Sequence, residues 1–341
     1  MFEQSIQRLG FACKFYPEQD DTYSQFNTKT TTAKWLHSQT LDAATERLRS
    51  IIEHNLDSQL LVFKEIIKGP TGTKMMRLSS DLLPFYTHNN WAWVYKDQSL
   101  LSMIKDKLST LGQFAKLHDI RLSFHPGQYC CIASDRPEVV DNSIQELEYH
   151  RDMAVMMGFG QTFQDFKINV HLSGRLGSQG ARQAFQRMTP ELKNMITIEN
   201  DEFGHGLEDV LEISDLCPIV LDIHHHLIRS KGEYISVTDF RVMRVIESWR
   251  GVRPTMHYSI SREEYINNCV TKPDITKMLS EGYKSQKLRA HSDYYINQEC
   301  NNWCLTFWDN FDIMCESKAK NLARDQLYDY FTQQTNLSAR S

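Results

Sequence analysis

Residues 120–129 read Ile-Arg-Leu-Ser-Phe-His-Pro-Gly-Gln-Tyr. Ile120, Leu122 and Phe124 alternate with Arg121, Ser123 and His125, the period of a short strand, and Pro126-Gly127 closes it. A histidine therefore stands where a strand gives way to a loop, with Gln128 and Tyr129 three and four residues on. One strand-end histidine is more often structural than a ligand. Here, four other segments repeat the arrangement, each with His, Asp or Glu at the end of an apolar or β-branched run. Packing does not explain five such ends, because buried charge and imidazole cost free energy unless paired or coordinated.

Outward from that stretch the chain alternates short strands with amphipathic helices. Ser5 to Cys13 reads as a first strand. Leu41 to Lys68 carries apolar residues at helical spacing, with a break expected near Asn55, and Gly69-Pro70 stops it. Lys74 to Leu78 is a second strand, and a helix from Ser99 to His118 leads into the quoted stretch. A helix over Val139 to Met157 precedes the strand Phe166 to His171. A short helix over Ala181 to Arg187 precedes Met195 to Asp201. Leu207 to Leu216 is helical and runs to a strand over Ile219 to His226. There the alternation lets only some of His224, His225 and His226 face a ligand. Phe240 to Trp249 is helical, followed by the strand Met256 to Ser259. Arg262 to Leu279 is expected to be helical, and a loop then carries His291. Phe311 to Glu316 is an eighth strand, and a helix runs on to about Gln333.

Eight strand–helix units point to an α/β fold, a single (β/α)8 TIM barrel over residues 1–341 with its core at about 5–334. Site residues would gather at the C-terminal ends of the strands. An open doubly wound sheet fits less well. No glycine-rich phosphate turn follows the first strand, and functional residue types close nearly every strand.

The 341 residues, 41% hydrophobic and 11% aromatic, suffice for a packed core. No run of 18 apolar residues occurs, and the opening Met1-Phe2-Glu3-Gln4 lacks a signal-peptide layout, so a cytoplasmic protein with no membrane partner is expected. Cys300 and Cys304 resemble half a zinc site, but no second cysteine pair lies at finger spacing. A formal net charge of −5 argues against indiscriminate nucleic-acid binding, yet a carboxylate cluster around cations would carry part of it. Basic candidates for a phosphate surface are Lys64, Lys68, Lys74 and Arg77, then Arg175, Arg182 and Arg187, then Lys284, Lys287 and Arg289.

The strand-end set is His125, His171, Glu199, Asp222, His225, His257, His291 and Glu316. Five imidazoles and three carboxylates exceed what one tetrahedral ion needs. Mixed nitrogen and oxygen ligands in that number suit two or three divalent ions such as manganese or zinc. Clustered cations lower the pKa of a bound water and bridge a phosphodiester.

RLGFAC, MMRLSSDLLPF, FHPGQY, NVHLSG, TIENDE, LDIHHH, MHYS, HSDY and CESKAK follow one another here in the order seen in UV damage endonucleases. The chain resembles that family from roughly Arg8 to Leu322. These are metal-dependent barrel enzymes similar to endonuclease IV. The resemblance implies a nick immediately 5′ to pyrimidine dimers and 6-4 photoproducts in double-stranded DNA. Metal-activated water would attack, leaving a 3′-hydroxyl and a 5′-phosphate, with manganese the expected cofactor and zinc or magnesium as alternatives. The family's ligands fall on the same eight positions, with Glu199, His257 and Glu316 also expected to be catalytic. Gln128 and Tyr129 correspond to a pair that wedges into the duplex. A damaged, poorly stacked dinucleotide costs less to extrude than a normal pair, so a wedge selects by deformability. Such an enzyme can work as a monomer, associated with the nucleoid when acting on DNA.

Three positions depart from the family pattern. Phe11 stands where the family has tyrosine and Phe15 where it has asparagine, both expected near the scissile phosphate or lesion pocket. Thr255 replaces a lysine that can assist the metal cluster, particularly if modified to carry a negative charge. Two other readings therefore stay open: an abasic-site endonuclease or sugar isomerase on the same barrel type, and a lesion-binding sensor with impaired catalysis.

Overall fold

The computed structural model describes residues 6–127, 129–266 and 270–338. Eight parallel strands close into a barrel in chain order. They are β1 (Leu9–Ala12), β2 (Met75–Arg77), β3 (Arg121–Phe124), β4 (Lys167–His171), β5 (Ile196–Glu199), β6 (Ile219–Asp222), β7 (Thr255–Tyr258) and β8 (Asp312–Cys315). β1 pairs with both β2 and β8, so the sheet has no free edge. Helices connect the strands along the outside, and the expected TIM barrel is the observed fold.

Strand parity decides which side chains face inward. The outward set (Phe11, Met76, Leu122, Phe124, Ile168, Val170, Ile196, Ile198, Leu221, Ile313) packs against the helix layer in one continuous core. The inward set is unusually polar. Ala12, Met75 and Met314 form only a small apolar group inside. Beneath it Asp312, fully buried, accepts from Arg8 N–H (3.0 Å), from Arg253 Nε (2.8 Å) and from Arg121. Lys167 lies beside them, and burial holds its amine well below the ordinary lysine range. Asn169 and Thr197 bond to each other at mid-height, 2.9 Å apart. Most small barrels fill this volume with branched apolar layers. Here hydrogen bonding and ion pairing replace part of that packing, leaving little slack in side-chain identity.

The structure corrects several sequence expectations. The helix Leu41–Ile66 does not break at Asn55. Its side chain is buried and bonds to Lys29 N–H, Lys29 O and Asp81 O, so the asparagine fastens two loops to an unbroken helix. β6 ends at Asp222, and His224–His226 lie in the helix Ile223–Arg229. The Asp222 carboxylate caps that helix by accepting from His225 N–H at 2.7 Å. Arg262 to Leu279 is not one helix: a 3-10 turn spans Glu263–Tyr265, residues 267–269 lie outside the described residues, and the helix Ile275–Ser280 starts after an Asp274 cap. Pro273 before that cap marks a helix start, not an interior. Cys300 and Cys304 are buried on the helix Gln298–Leu305 as free thiols. Burial pushes the Cys300 thiol up to about 12. Among the described residues no helix is long and apolar enough to cross a membrane.

Candidate metal centre and lesion-facing mouth

β4 and β5 end in register (His171 opposite Glu199), as do β6 and β7 (Asp222 opposite His257), while β6 runs two residues past β5 (Glu199 opposite Val220), and the last inward side chains of all four converge at the mouth. Glu199 is the hub, fully buried. Its Oε2 lies 3.2 Å from His125 Nε2, and its Oε1 lies 3.1 Å from His257 Nδ1 and 3.3 Å from His225 Nδ1. Asn169 Nδ2 donates to Oε2 from below. Three triads place their ligand atoms within 4.8 Å of one another: His125, Glu199 and His257; His171, Glu199 and His225; Asp222, His257 and Glu316.

Seven of the eight expected ligands therefore converge. His291, the eighth, lines the same cavity of about 560 Å³ but belongs to none of the triads. Its Nδ1 lies 2.9 Å from the Glu316 carbonyl, which fixes the ring against the last strand end. The helical turn after Asp222 aims His225 into the mouth, while His226 Nε2 lies 3.0 Å from Glu233 outside it.

The arrangement has the chemistry of a cation site. His171 Nδ1, His257 Nδ1, Glu199 Oε1 and Asp222 Oδ2 are buried polar atoms with no hydrogen-bond partner, although the carboxylates and imidazoles lie close together. Each unsatisfied buried group costs about 1–3 kcal/mol, which ligation by a cation would relieve. The cluster could thus hold a metal ion. Burial pushes the Glu199 carboxyl up, but His257 and His171 outweigh it and hold it well below its ordinary range. Burial likewise opposes ionisation of Glu316, and Arg77 with His257 overcomes it. Burial raises Asp222 to about 6, aided by Glu199 and Glu316. His225, despite burial, is raised well above its ordinary value by Asp222 and Glu199, and His257 is raised by Glu199 and Glu316. Without a cation the carboxylates hold protons on these imidazoles, which a cation would have to displace.

Several residues of the mouth were not singled out as ligand-like. Arg77, read above only as part of a basic surface, is the inward residue ending β2 and pairs with Glu316. The Met75, Met76, Arg77 alternation places it by the same parity that selects the ligands. Asp201 lies 3.6 Å from His171 Nδ1, and Glu202 lies 3.5 Å from His225 Nε2 while pairing with Arg289. Of the remaining basic candidates, Lys68, Arg175, Arg182 and Arg187 are paired with Glu65, Asp135, Asp215 and Asp141.

Tyr129 is 87% exposed beside the mouth, and Gln128 lies outside the described residues. Phe11 is not a lesion contact. Gly10 and Ala12 take the inward positions of β1, so Phe11 faces the helix layer, fully buried, with Arg324 5.0 Å over its ring. Phe15 is half-buried against Phe11 and Phe26. Thr255 is inward on β7, below His257, with its buried hydroxyl lacking a hydrogen-bond partner.

Comparison with known proteins agrees with this geometry. A UV DNA damage endonuclease of Bacillus cereus (strain B4264) is 25% identical over 303 residues, covering 83% of both chains. A UV-damage endonuclease of Schizosaccharomyces pombe is 28% identical over 265 residues, 74% of this chain and 39% of its own length. The crystal structure of SacUVDE superposes with a TM-score of 0.72 at 25% identity, covering 96% of this chain and 99% of that one. Endonuclease IV from Thermus thermophilus shares the fold, with a TM-score of 0.53 at 12% identity over 96% of this chain and 99% of its own. The family described as UV-endonuclease UvdE matches from residue 7 to residue 339, and the chain belongs to that family.

Proposed function

We propose that this chain hydrolyses the phosphodiester immediately 5′ to UV photoproducts in double-stranded DNA, leaving a 3′-hydroxyl and a 5′-phosphate. It would act as a monomer supported by manganese. The observation that carries the reading is the Glu199-centred cluster, with its unpartnered buried ligand atoms, at the C-terminal mouth of a UvdE-family barrel. Bound divalent cations would supply activation of a water and neutralisation of charge on the phosphate.

The chain's own residues do the rest. His125, His171, Glu199, Asp222, His225, His257 and Glu316 would hold the cations, with His291 closing the wall. Asn169, bonded to Glu199 and Thr197, fixes the hub carboxylate so that it need not reorganise. Arg77 keeps Glu316 ionised and places a permanent cation where a phosphate oxygen would enter. Tyr129, standing free beside this mouth, would occupy the space vacated by an extruded dinucleotide and stack there.

The test is incision of an end-labelled duplex carrying one pyrimidine dimer, with manganese and with EDTA, beside undamaged and abasic duplexes. A manganese-dependent nick 5′ to the dimer, lost in His171→Ala, is expected. Cleavage of the abasic duplex alone would move the substrate to base loss. Binding of the dimer duplex without any nick would make the protein a sensor.

A further inference from the structure

We propose that Lys14 and Lys320 form a phosphate site on the rim of the mouth and hold the backbone phosphate of the cut strand next to the scissile one. The inference rests on the lesion-nicking reading and names two substrate-binding residues for it. Three neighbouring strands build this part of the rim. β1 lies between β8 and β2, and Glu316, Cys13 and Arg77 at their ends line the mouth. Cys13 N–H donates to the Arg77 carbonyl at 2.8 Å. The chain then leaves the barrel in a loop clamped by two side-chain amides. Asn27 accepts from Phe15 N–H at 3.0 Å and donates to the Phe15 carbonyl at 2.8 Å. Asn321 treats Tyr16 in the same way, at 2.8 and 2.9 Å. Because Asn321 follows Lys320, this second clamp brings Lys14 and Lys320 to one place.

Lys320 stands where a lysine without an anion is poorly placed. It opens the helix Lys320–Ser338, whose aligned peptide dipoles favour negative charge at that end and oppose an amine. Its φ of 53° lies in the left-handed region, uncommon for any residue but glycine and a form of strain that gathers at functional sites. Its side chain is partly buried. Burial lowers the amine from its ordinary value, and Arg77 and Lys14 lower it too, against Cys13 and Glu316. Glu316, the carboxylate among these neighbours, is already paired with Arg77. Neither Lys14 nor Lys320 has an ion pair or a side-chain hydrogen bond among the described residues. Arg77 Nε, close by, is likewise buried with no hydrogen-bond partner. The repulsion among these cations and the helix end is unfavourable in the free protein, and a bound anion reverses it.

Geometry names the anion. The scissile phosphate must enter the mouth beside Arg77 and Glu316, so the strand being cut passes over this rim. That strand carries a phosphate at every nucleotide, and the next one along meets the two lysines. Phe15 packs its ring against Phe11 and Phe26, leaving Lys14 exposed. Phosphate contacts set register and orientation without reading bases. This site therefore places the cut, while the wedge chooses the lesion.

The experiment uses the full-length protein, Lys14→Met, Lys320→Met and Lys320→Arg, and dimer duplexes in which one phosphate near the cut is a neutral methylphosphonate. Nicking is assayed with manganese, and binding by fluorescence anisotropy in EDTA, which prevents nicking. Lys320→Met should raise KM about tenfold with kcat within about twofold, and Lys320→Arg should keep the wild-type KM. Each lysine lost should flatten the plot of log affinity against log salt by about one unit of slope. One methylphosphonate position should weaken wild-type binding and weaken Lys320→Met no further. The Tm of Lys320→Met should hold or rise, since a cation leaves a place that repels it. Unchanged KM and salt slope in both methionine variants would overturn the proposal, as would equal losses at every methylphosphonate position or a fall in kcat alone. A wild type that binds with the expected methylphosphonate pattern but never nicks would sink the nicking reading and support the phosphate site. A wild type that binds no duplex would sink both.

Discussion

Asp312→Ala should cripple stability while leaving chemistry alone. The carboxylate is completely buried at the closed end of the barrel and is shared by Arg8, Arg121 and Arg253. Arg8 has a further partner in the partly exposed Asp119, and Arg253 also donates to the carbonyls of Trp308, Asp309 and Phe311. Among the described residues Arg121 keeps the Arg253 carbonyl and the Trp249 ring, 5.9 Å away. Removing this buried anion strands these guanidinium charges, and breaking a buried pair from one side costs about 3–5 kcal/mol. An unfolding entropy of about 2.1 cal/mol/K per residue makes each kcal/mol worth about 1.4 °C in a chain of this length, so Tm should fall by about 4–7 °C. Asp312→Asn, which keeps an acceptor but loses the charge, should fall in between. Scanning calorimetry reads the shift, and nicking assayed well below both transitions should stay within about twofold of wild type, since the bottom of such a barrel serves stability and the top serves function. An unchanged Tm would refute the view that this carboxylate neutralises the floor. A loss of nicking in a protein that melts normally would refute the division of labour.

Glu199→Gln removes the charge shared by two of the three ligand triads. Elemental analysis of the purified protein should find fewer bound ions per chain, and nicking should drop by at least about a hundredfold; full metal content would show that Glu199 is not a ligand. His150, buried with Nδ1 2.7 Å from the Glu146 carbonyl and Nε2 2.8 Å from Ser80 Oγ, is pushed down to about 4 by burial. Above pH 6.5 it is neutral both folded and unfolded; as pH falls from 6.5 toward 4 only the unfolded chain takes the proton, so stability drops by about 3 kcal/mol. His150→Gln should flatten that part of the denaturation-versus-pH curve, and parallel curves would show that another group carries it. Thr255→Val replaces a buried hydroxyl that has no partner with a methyl of the same shape. Stability should hold or rise by up to about 1 kcal/mol in urea melts with nicking unchanged, whereas a tenfold loss of nicking would give the hydroxyl a job at the cluster.

The barrel was legible because period-two alternation and strand-end punctuation are local properties, repeated eight times in order. Six of the candidate ligands, His125, His171, Glu199, Asp222, His257 and Glu316, were legible for the same reason, since parity and position at a strand end determine both burial and depth. What escaped were features decided by contacts distant in sequence. Asn55 looks like a helix breaker until its amide is seen bonding Lys29 and Asp81. The histidine triplet follows a strand, and a strand reading carries it along. Only the Asp222 cap, a carboxylate bonded to the N–H three residues on, turns the chain into a helix and separates His225 from His226. Arg77 passed as surface charge because lysine and arginine are usually solvated, yet its parity on β2 is inward.

The same parity bears on the departures from the family pattern. Phe11 faces the helix layer, so a substitution there acts on β1 through its packing beneath Arg324, not by touching a phosphate. Thr255 points into the barrel one layer beneath His257, where a longer side chain would reach the carboxylates above it. Of these two, only Thr255 is placed to change the charge at the ligand cluster. Asp222, which burial raises to about 6, is the carboxylate there least able to ionise unaided. A modified lysine at position 255 would add negative charge beside it and raise its pKa further. Threonine does not, so a cation held by this cluster would have one negative charge fewer to compensate.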